Sequence, residues 1–586
     1  MKRKSVFVVI LMLLLGIFVI LPRIQRVESS ATIYIRADGS VDPSTAPIQR
    51  DGDVYTFVGN IYESIVVEKD NIVIDGAGYF IQGTGSGKGM DLLGRANVTI
   101  KGTSIKGFYF GVYLDQYSSS NTVSRNNIKN NQLGIELYGS DNTISENNIT
   151  NNYHGIEFRG ASSNNILRNS ITANTNGISL AGYELAPDLN NIISGNTITK
   201  NQYGIGLGGY SRYNRIIGNN ITENYSWGIE FYGSGNNISG NNFEGNIGGI
   251  YVFGLGHTIS GNNVTNNNYY GILIQDSSNI ALRDNIMVSN KYNFGVKGSQ
   301  LSNFILDIDE SNTIDGKPVY YWVNKYDATV PLNAGYVGIA NSTNITINHL
   351  ELKNNYQGML LAYTKDSTIA NNIVPNNLYG ICLYSSSGNN ISQNDIASNN
   401  IYGIHLDGSH SNTLSENNIT NNTGGGMRFD WSYNDIVSKN NIVANENYGI
   451  WLSQSSDNDI FGNTIENNHG GIRLYRSSDN KFYHNYFINN IPQVHDDSWN
   501  GWTSPSINVW DDGYPSGGNY WSDYTEKYPN ATEIDTSGIW DTPYVIDENN
   551  QDNYPIIPEF PSFLVLPIFM MSTLLAVIIY RRKHAI

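Results

Sequence analysis

A single cysteine, Cys382, in a chain of 586 residues excludes an intramolecular disulfide framework and any cysteine-rich metal site. Basic residues are scarce as well: 35 lysines and arginines stand against 52 aspartates and glutamates, a net charge of −17. That balance argues against nucleic acid and anionic membrane surfaces as partners, and leaves solubility or attraction for cations as the meaning of the excess acid. Also missing is a 3.6-residue apolar period sustained over three turns, so amphipathic helices are not the building unit. What the chain has in quantity is glycine (59), tyrosine (40) and a recurring asparagine-isoleucine phrase.

The phrase is NTISENNITNNYHGIEF at Asn142, and close copies begin at Asn214, Asn236 and Asn458. A glycine before an apolar residue marks each copy: Gly111, Gly134, Gly155, Gly177, Gly204, Gly228, Gly249, Gly271 and Gly295, then Gly358, Gly380, Gly403, Gly426, Gly449 and Gly471. Spacings of mostly 21 to 24, with one of 27 where 181–189 inserts a loop, are the mark of a solenoid. Leucine-rich repeats share the period but need a leucine frame and helical segments. Here Ile144 and Ile149 belong to two short strands, and Ile156 and Phe158 point inward from a third. Asn142, Asn147 and Asn152 fall at the corners, where asparagine tolerates a left-handed backbone and its amide can form ladders along the axis. The expected fold is therefore all-β: a right-handed parallel β-helix with terminal caps and a C-terminal transmembrane helix. Each coil adds about 4.8 Å, and roughly eighteen coils make a rod of about 85 Å.

Both ends carry membrane signals. Lys2, Arg3 and Lys4 precede an apolar run from Val6 to Leu21, and Ser29-Ser30-Ala31 offers a cleavage site, so 1–31 reads as a signal peptide. Phe563 to Tyr580 is an 18-residue apolar stretch followed by Arg581, Arg582 and Lys583, which reads as a membrane anchor with a cytoplasmic tail. Between them the sequence divides into an N-terminal cap (32–57), a first array (58–301), an excursion with an Asp315-Gly316-Lys317-Pro318 turn (302–340), a second array (341–494) and a C-terminal cap (495–557). Five of the nine tryptophans lie in that last block: Trp499, Trp502, Trp510, Trp521 and Trp540. The location expected from these signals is the cell surface.

The coils resemble the right-handed β-helix repeats of NosD-type proteins and carbohydrate-binding/sugar-hydrolase (CASH) domains. SNTIDGKPVYYWVNK from Ser311 and NYWSDYTEKYPNATEIDTSGIWDTPYVIDENNQDNYP from Asn519 are similar to archaeal members, and the likeness spans about 33–557. Ile557-Pro558-Glu559-Phe560-Pro561 and the helix after it resemble the PEF-type sorting tail of archaeal surface proteins (558–586). The resemblance implies an archaeosortase-type processing enzyme as a partner; a plain anchor explains the same residues. Copper, which the NosD name implies, needs clusters of His, Cys or Met, and nine scattered histidines with one cysteine do not supply one.

Candidate chemistry lies on the strand after each glycine. Two residues past the glycine, the second array reads Leu360, Cys382, His405, Arg428, Trp451 and Arg473; two further on come Ala362, Tyr384, Asp407, Asp430, Ser453 and Tyr475. Taken as outward columns, these set Asp407 beside Asp430 and His405 beside Arg428, about 5 Å apart on neighbouring coils. Paired carboxylates at that distance suit a retaining glycosidase, and Trp451, Arg473, Tyr384 and Tyr475 read as substrate-binding. Solvated outward residues balanced by arginines explain the same pattern. Glu136, Glu157 and Arg159 are a weaker version in the first array. The aromatic residues before the glycines, Tyr203, Trp227, Tyr270, Tyr379, Tyr402 and Tyr448, pack across a corner or form a binding stripe. Asp535, Asp541, Asp547 and Asp552 resemble an acidic calcium site, without EF-hand spacing. Twelve Asn-x-Ser/Thr sequons mark possible glycosylation. Signatures of polygalacturonase-like enzymes and alginate epimerases are absent. The expected function is a membrane-anchored surface protein that binds a cell-envelope carbohydrate or is structural there; the alternative is a polysaccharide lyase, hydrolase or epimerase.

Overall fold

The computed structural model describes residues 32–497 and 505–557. The signal-like segment, Trp499, Trp502 and the apolar stretch 563–580 lie outside the described residues. Among those described, no helix is long and apolar enough to cross a membrane. The described residues form two compact units, divided between Gln202 and Tyr203.

In the first unit one coil is three short strands, as in Thr143–Ser145, Asn148–Thr150 and His154–Phe158. Each strand pairs in parallel with its counterparts one coil before and after: Ile144 lies between Val123 and Ile166, Ile149 between Ile128 and Ile171, and Ile156 between Ile135 and Ile178. Ile144, Ile149, Ile156 and Phe158 are fully buried. Four such side chains contribute about 6–12 kcal/mol of gross burial per coil before chain entropy is subtracted, so a coil holds its shape only against neighbours.

Corners are set differently from the sequence expectation. The ladder asparagines are not the left-handed residues; the residue before each one is. Asp141, Glu146 and Asn151 have φ of 59°, 57° and 56°. That twist turns Asn142, Asn147 and Asn152 inward, where they are buried. The Asn147 backbone N–H and Nδ2 both donate to Asn169 Oδ1 at 3.0 Å, Nδ2 also donates to Val123 O at 2.8 Å, and Oδ1 accepts from Asn126. Each amide is thus bonded to the coils on both sides, which meets the demand that buried polar groups be paired. The landmark glycines are not needed for a left-handed turn either. A Cβ on Gly155 would sit 2.5 Å from Gly177 O, so the requirement is close approach between coils.

The second unit repeats this plan. Its columns hold substitutions, among them His257, whose Nδ1 accepts from Asn236 N at 3.2 Å, and Asp435, whose Oδ1 accepts from Asn412 N at 2.8 Å. Midway, Thr313–Ile314 pairs in parallel with Ile286–Val288 and antiparallel with Lys317–Val323 across the Asp315-Gly316 turn. Both turn residues have positive φ, as a two-residue hairpin requires. Lys317–Val323 then pairs in parallel with Tyr336–Ala340, which begins the stack of glycine-bearing strands in the second array. The hairpin therefore hands one stack over to a different one, and the coils resume with their strands shifted in phase. At the far end Trp510 stacks on Phe482 (4.2 Å) and Trp521 on Phe487 (4.4 Å), sealing the core with rings.

Candidate functional site

The glycine-bearing strands of the second array put the columns in register: Cys382 with His405, His405 with Arg428, Arg428 with Trp451, and Trp451 with Arg473. The columns are not outward throughout. Leu360, Ala362 and Cys382 are fully buried. Phe304, just past the short helical turn Leu301–Asn303, stacks on Tyr384 at 5.6 Å and contacts Tyr363, covering this end of the face. Burial pushes the Cys382 thiol upward, so it is an inert core residue. Tyr384 is paired with Phe304 and Tyr475 lies beneath the Arg476 guanidinium at 5.3 Å.

Further along, the predicted residues do come together, as a chain of mutual contacts. Arg428 donates from Nε to Asp430 Oδ2 (2.9 Å) and from Nη2 to Oδ1 (2.6 Å), and His405 Nε2 lies 3.1 Å from Asp430 Oδ2. Burial pushes the Asp430 carboxyl up, but the hydrogen bonds from His405 and Arg428 and the guanidinium charge outweigh it and hold the group down to about 2. The Arg428 guanidinium lies 3.6 Å over the Trp451 ring and that of Arg473 4.1 Å over it, one from each adjacent coil. Both faces of Trp451 are taken, so it has no open face for a sugar. Arg473 continues to Asp497, which also contacts His495 at 2.9 Å. His495 and Asp497 escaped the sequence reading because they stand past the last full repeat.

Asp407 is the exception. Its carboxylate accepts no hydrogen bond from the described residues, and burial pushes it upward, with His405 opposing and Asp430 adding to the rise. The Asp407–Asp430 pair is thus one carboxyl without a hydrogen-bond partner beside one held by both Arg428 and His405. A glycosidase needs two carboxyls that both reach the substrate.

In the first unit Glu136 and Glu157 stand in register. Arg159 bridges them, with Nε 2.9 Å from Glu136 Oε1 and Nη2 3.0 Å from Glu157 Oε1. Both carboxylates are almost fully buried.

The four aspartates of the calcium expectation stand apart from one another in their contacts. Among the described residues no three His, Cys, Asp or Glu side chains converge to hold a metal. Asp541 accepts from Thr532 N and Oγ1, and Asp547 from Asn550 Nδ2 and Asn549 N. Asp552 is buried and accepts from Asn519 N and Trp521 Nε1. Asp535 instead takes a left-handed turn position with φ 46°. These acids cap local backbone and side-chain donors, each in its own place. Among the described residues no three histidines or cysteines gather as copper would need.

Four of the six pre-glycine aromatic residues, Trp227, Tyr270, Tyr379 and Tyr402, join into a band within the second unit. Trp227 stacks on Tyr270 at 5.5 Å; Tyr270 lies 5.9 Å from Tyr356, Tyr356 5.6 Å from Tyr379, and Tyr379 6.3 Å from Tyr402. Tyr356, which stands two residues before Gly358 where the pre-glycine position itself holds Gln357, is the link that sequence spacing missed.

Comparison with known proteins gives two family matches. The model described as periplasmic copper-binding protein (NosD) matches residues 58–227 and 310–526, and one described as right handed beta helix region matches 184–334. No curated protein matches. Solved structures with a similar path include a PL6 family alginate lyase (11% identity, 78% of this chain and 97% of that one, TM-score 0.28). A periplasmic alginate epimerase matches at 12% identity over 77% of this chain and 78% of that one (TM-score 0.18). DFA-IIIase from Arthrobacter chlorophenolicus matches at 12% over 65% and 84% (TM-score 0.26). No substrate or reaction carries across at these identities and scores. The two NosD segments together take in more than half of the chain and frame the arrays described above, and the chain belongs to the NosD family of right-handed parallel β-helix proteins.

Proposed function

We propose that this protein is a non-catalytic, glycan-binding β-helix of the extracytoplasmic surface, anchored in the membrane through its apolar C-terminal stretch. The observation that carries the non-catalytic part is the state of Asp430: gripped by Arg428 and His405, it has neither the freedom of a nucleophile nor the proton of a general acid. Support for glycan binding comes from the aromatic band, whose half-buried tyrosine and tryptophan rings present apolar bodies and polar tips. The copper in the family description has no fitting donor set among the described residues, and no step is assigned to it.

A glycan array probed with the full chain in detergent, followed by product analysis on the polysaccharides bound, tests this. Binding without turnover, weakened by Trp227→Ala, is the expected result. Cleavage abolished by Asp430→Ala would replace this reading with a lyase, hydrolase or epimerase acting on the second array. That second reading draws on Asp407, the carboxyl beside it.

A further inference from the structure

We propose that the phase-shifted junction between the two arrays of the second unit is a binding cleft for a short acidic oligosaccharide, a uronate-bearing chain of a few sugars. The inference rests on the glycan-binding reading above and names its site and ligand class. Where the Asp315-Gly316 hairpin interrupts the stacking, the coil corners on the two sides no longer superpose. The last glycine-bearing strand of the first array meets the second array directly: Asn293 N donates to Asn354 O at 2.6 Å and Tyr356 N to Phe294 O at 2.9 Å. The mismatch leaves an open hollow of about 600 Å³, lined by Asn268, Ser289, Lys291, Asn354, Asn376 and Asn400 among others. That volume is in the range of small-ligand sites, roughly 300–1,000 Å³.

Three features of the lining select the ligand. The first is its free amides. Column asparagines such as Asn147 are buried and fully engaged, but the side chains of Asn268, Asn354, Asn376 and Asn400, gathered on one rim, have no hydrogen-bond partner among the described residues. An amide offers donors and an acceptor side by side, which matches a hydroxyl that does both. A rim of such groups suits a polyol better than an apolar or aromatic molecule.

The second is charge. A chain with 52 acidic residues places none of them in this lining. Lys291 is there, exposed and without a carboxylate partner. Its ammonium rests over the rings of Tyr269 (4.7 Å) and Tyr292 (5.4 Å), which hold it at the edge of the hollow without neutralising it. One fixed cation in a carboxylate-free rim calls for one carboxylate on the ligand. The third is continuity: Tyr270 and Tyr292, 6.0 Å apart, tie the hollow to the aromatic band.

Calorimetric titration of the full chain in detergent with trigalacturonate, and separately with cellotriose as a neutral chain of the same length, tests the proposal. Trigalacturonate binds saturably, and at least tenfold more tightly than cellotriose. Lys291→Met weakens it at least tenfold, and the pair Asn268→Ala with Asn400→Ala does the same; all three side chains are exposed and none sits at a left-handed position, so the melting temperature of the variants stays that of the parent. Glycan binding that these substitutions leave unchanged places the site elsewhere, which overturns the cleft and leaves the proposed function standing. Equal affinity for the two trisaccharides overturns the acidic ligand class. Absence of binding to any glycan on the array overturns both the cleft and the function it rests on.

Discussion

Asp435 occupies a position that every logic of the asparagine column assigns to an amide, and replacing it by asparagine should stabilise the protein in a pH-dependent way. The neighbours above and below define what is missing. Asn412 Nδ2 donates to Ser386 O, and Asn458 Nδ2 donates to Ser432 O and to Asn480 Oδ1. The equivalent atom of Asp435 is Oδ2, which is buried and without a partner. As a carboxylate oxygen it has nothing to donate; as a carboxyl it supplies the missing proton. Burial therefore lifts the group from an ordinary 3.8 to about 7, against the opposing hydrogen bonds from Asn412. A rise of that size corresponds to about 4 kcal/mol. The sign follows from proton uptake: the folded state holds the proton more tightly, so the stability is fully present below pH ~4 and is lost as pH rises through about 7. In Asp435→Asn the amide donates at every pH. Thermal melts of the full chain and the variant at pH 4 and pH 8 should then differ little at the lower value. At the higher value the variant should gain up to about 4 kcal/mol of local stability. A gain that is equal at both pH values, or a variant less stable at pH 8, would refute the reasoning.

His257 should show the opposite slope. Burial holds its ring down to about 4, so stability is lost as pH falls from about 6.5 through 4, and His257→Asn should remove that acid sensitivity in the same melts. Asp430 is held down to about 2, so its contribution, about 2 kcal/mol, is present above pH ~4 and fades as pH falls through 2; a titration of wild type against Asp430→Asn by denaturant midpoint checks it. Asn147→Ala strips a buried amide bonded to coils on both sides and should cost about 3–6 kcal/mol in chemical denaturation. Gly155→Ala should destabilise strongly because its Cβ meets Gly177 O at 2.5 Å. Gly240→Ala, with φ 62° and nothing within 4 Å, should cost only the left-handed penalty of about 1–2 kcal/mol.

The repeat was legible because each coil restates the same physical demands: isoleucine inward, amide at the corner, glycine where coils touch. What the spacing hid was direction and interruption. It placed Asn142 at the left-handed residue when Asp141 takes that role, since both stand at the corner and only backbone geometry separates them. It treated Cys382 and Leu360 as outward by parity, but Phe304 arrives from another part of the chain to cover that end. It put Trp451 forward as a sugar platform on residue type alone, while Arg428 and Arg473 occupy its two faces. The hollow at Lys291 could not be foreseen, because it arises from the mismatch of two arrays and belongs to no single repeat.

The C-terminal acids have a meaning in the same terms. The column that runs through Asn463, Asn485 and Asn519 ends on Asp552, and the one through Asn480, Asn508 and Asn550 ends on Asp547. In each case a carboxyl oxygen receives the column's last donor. Asp552 does so fully buried beneath the closing rings, so its column is completed out of reach of solvent. The two aspartates act as full stops in a pattern whose own rule contains no instruction to end.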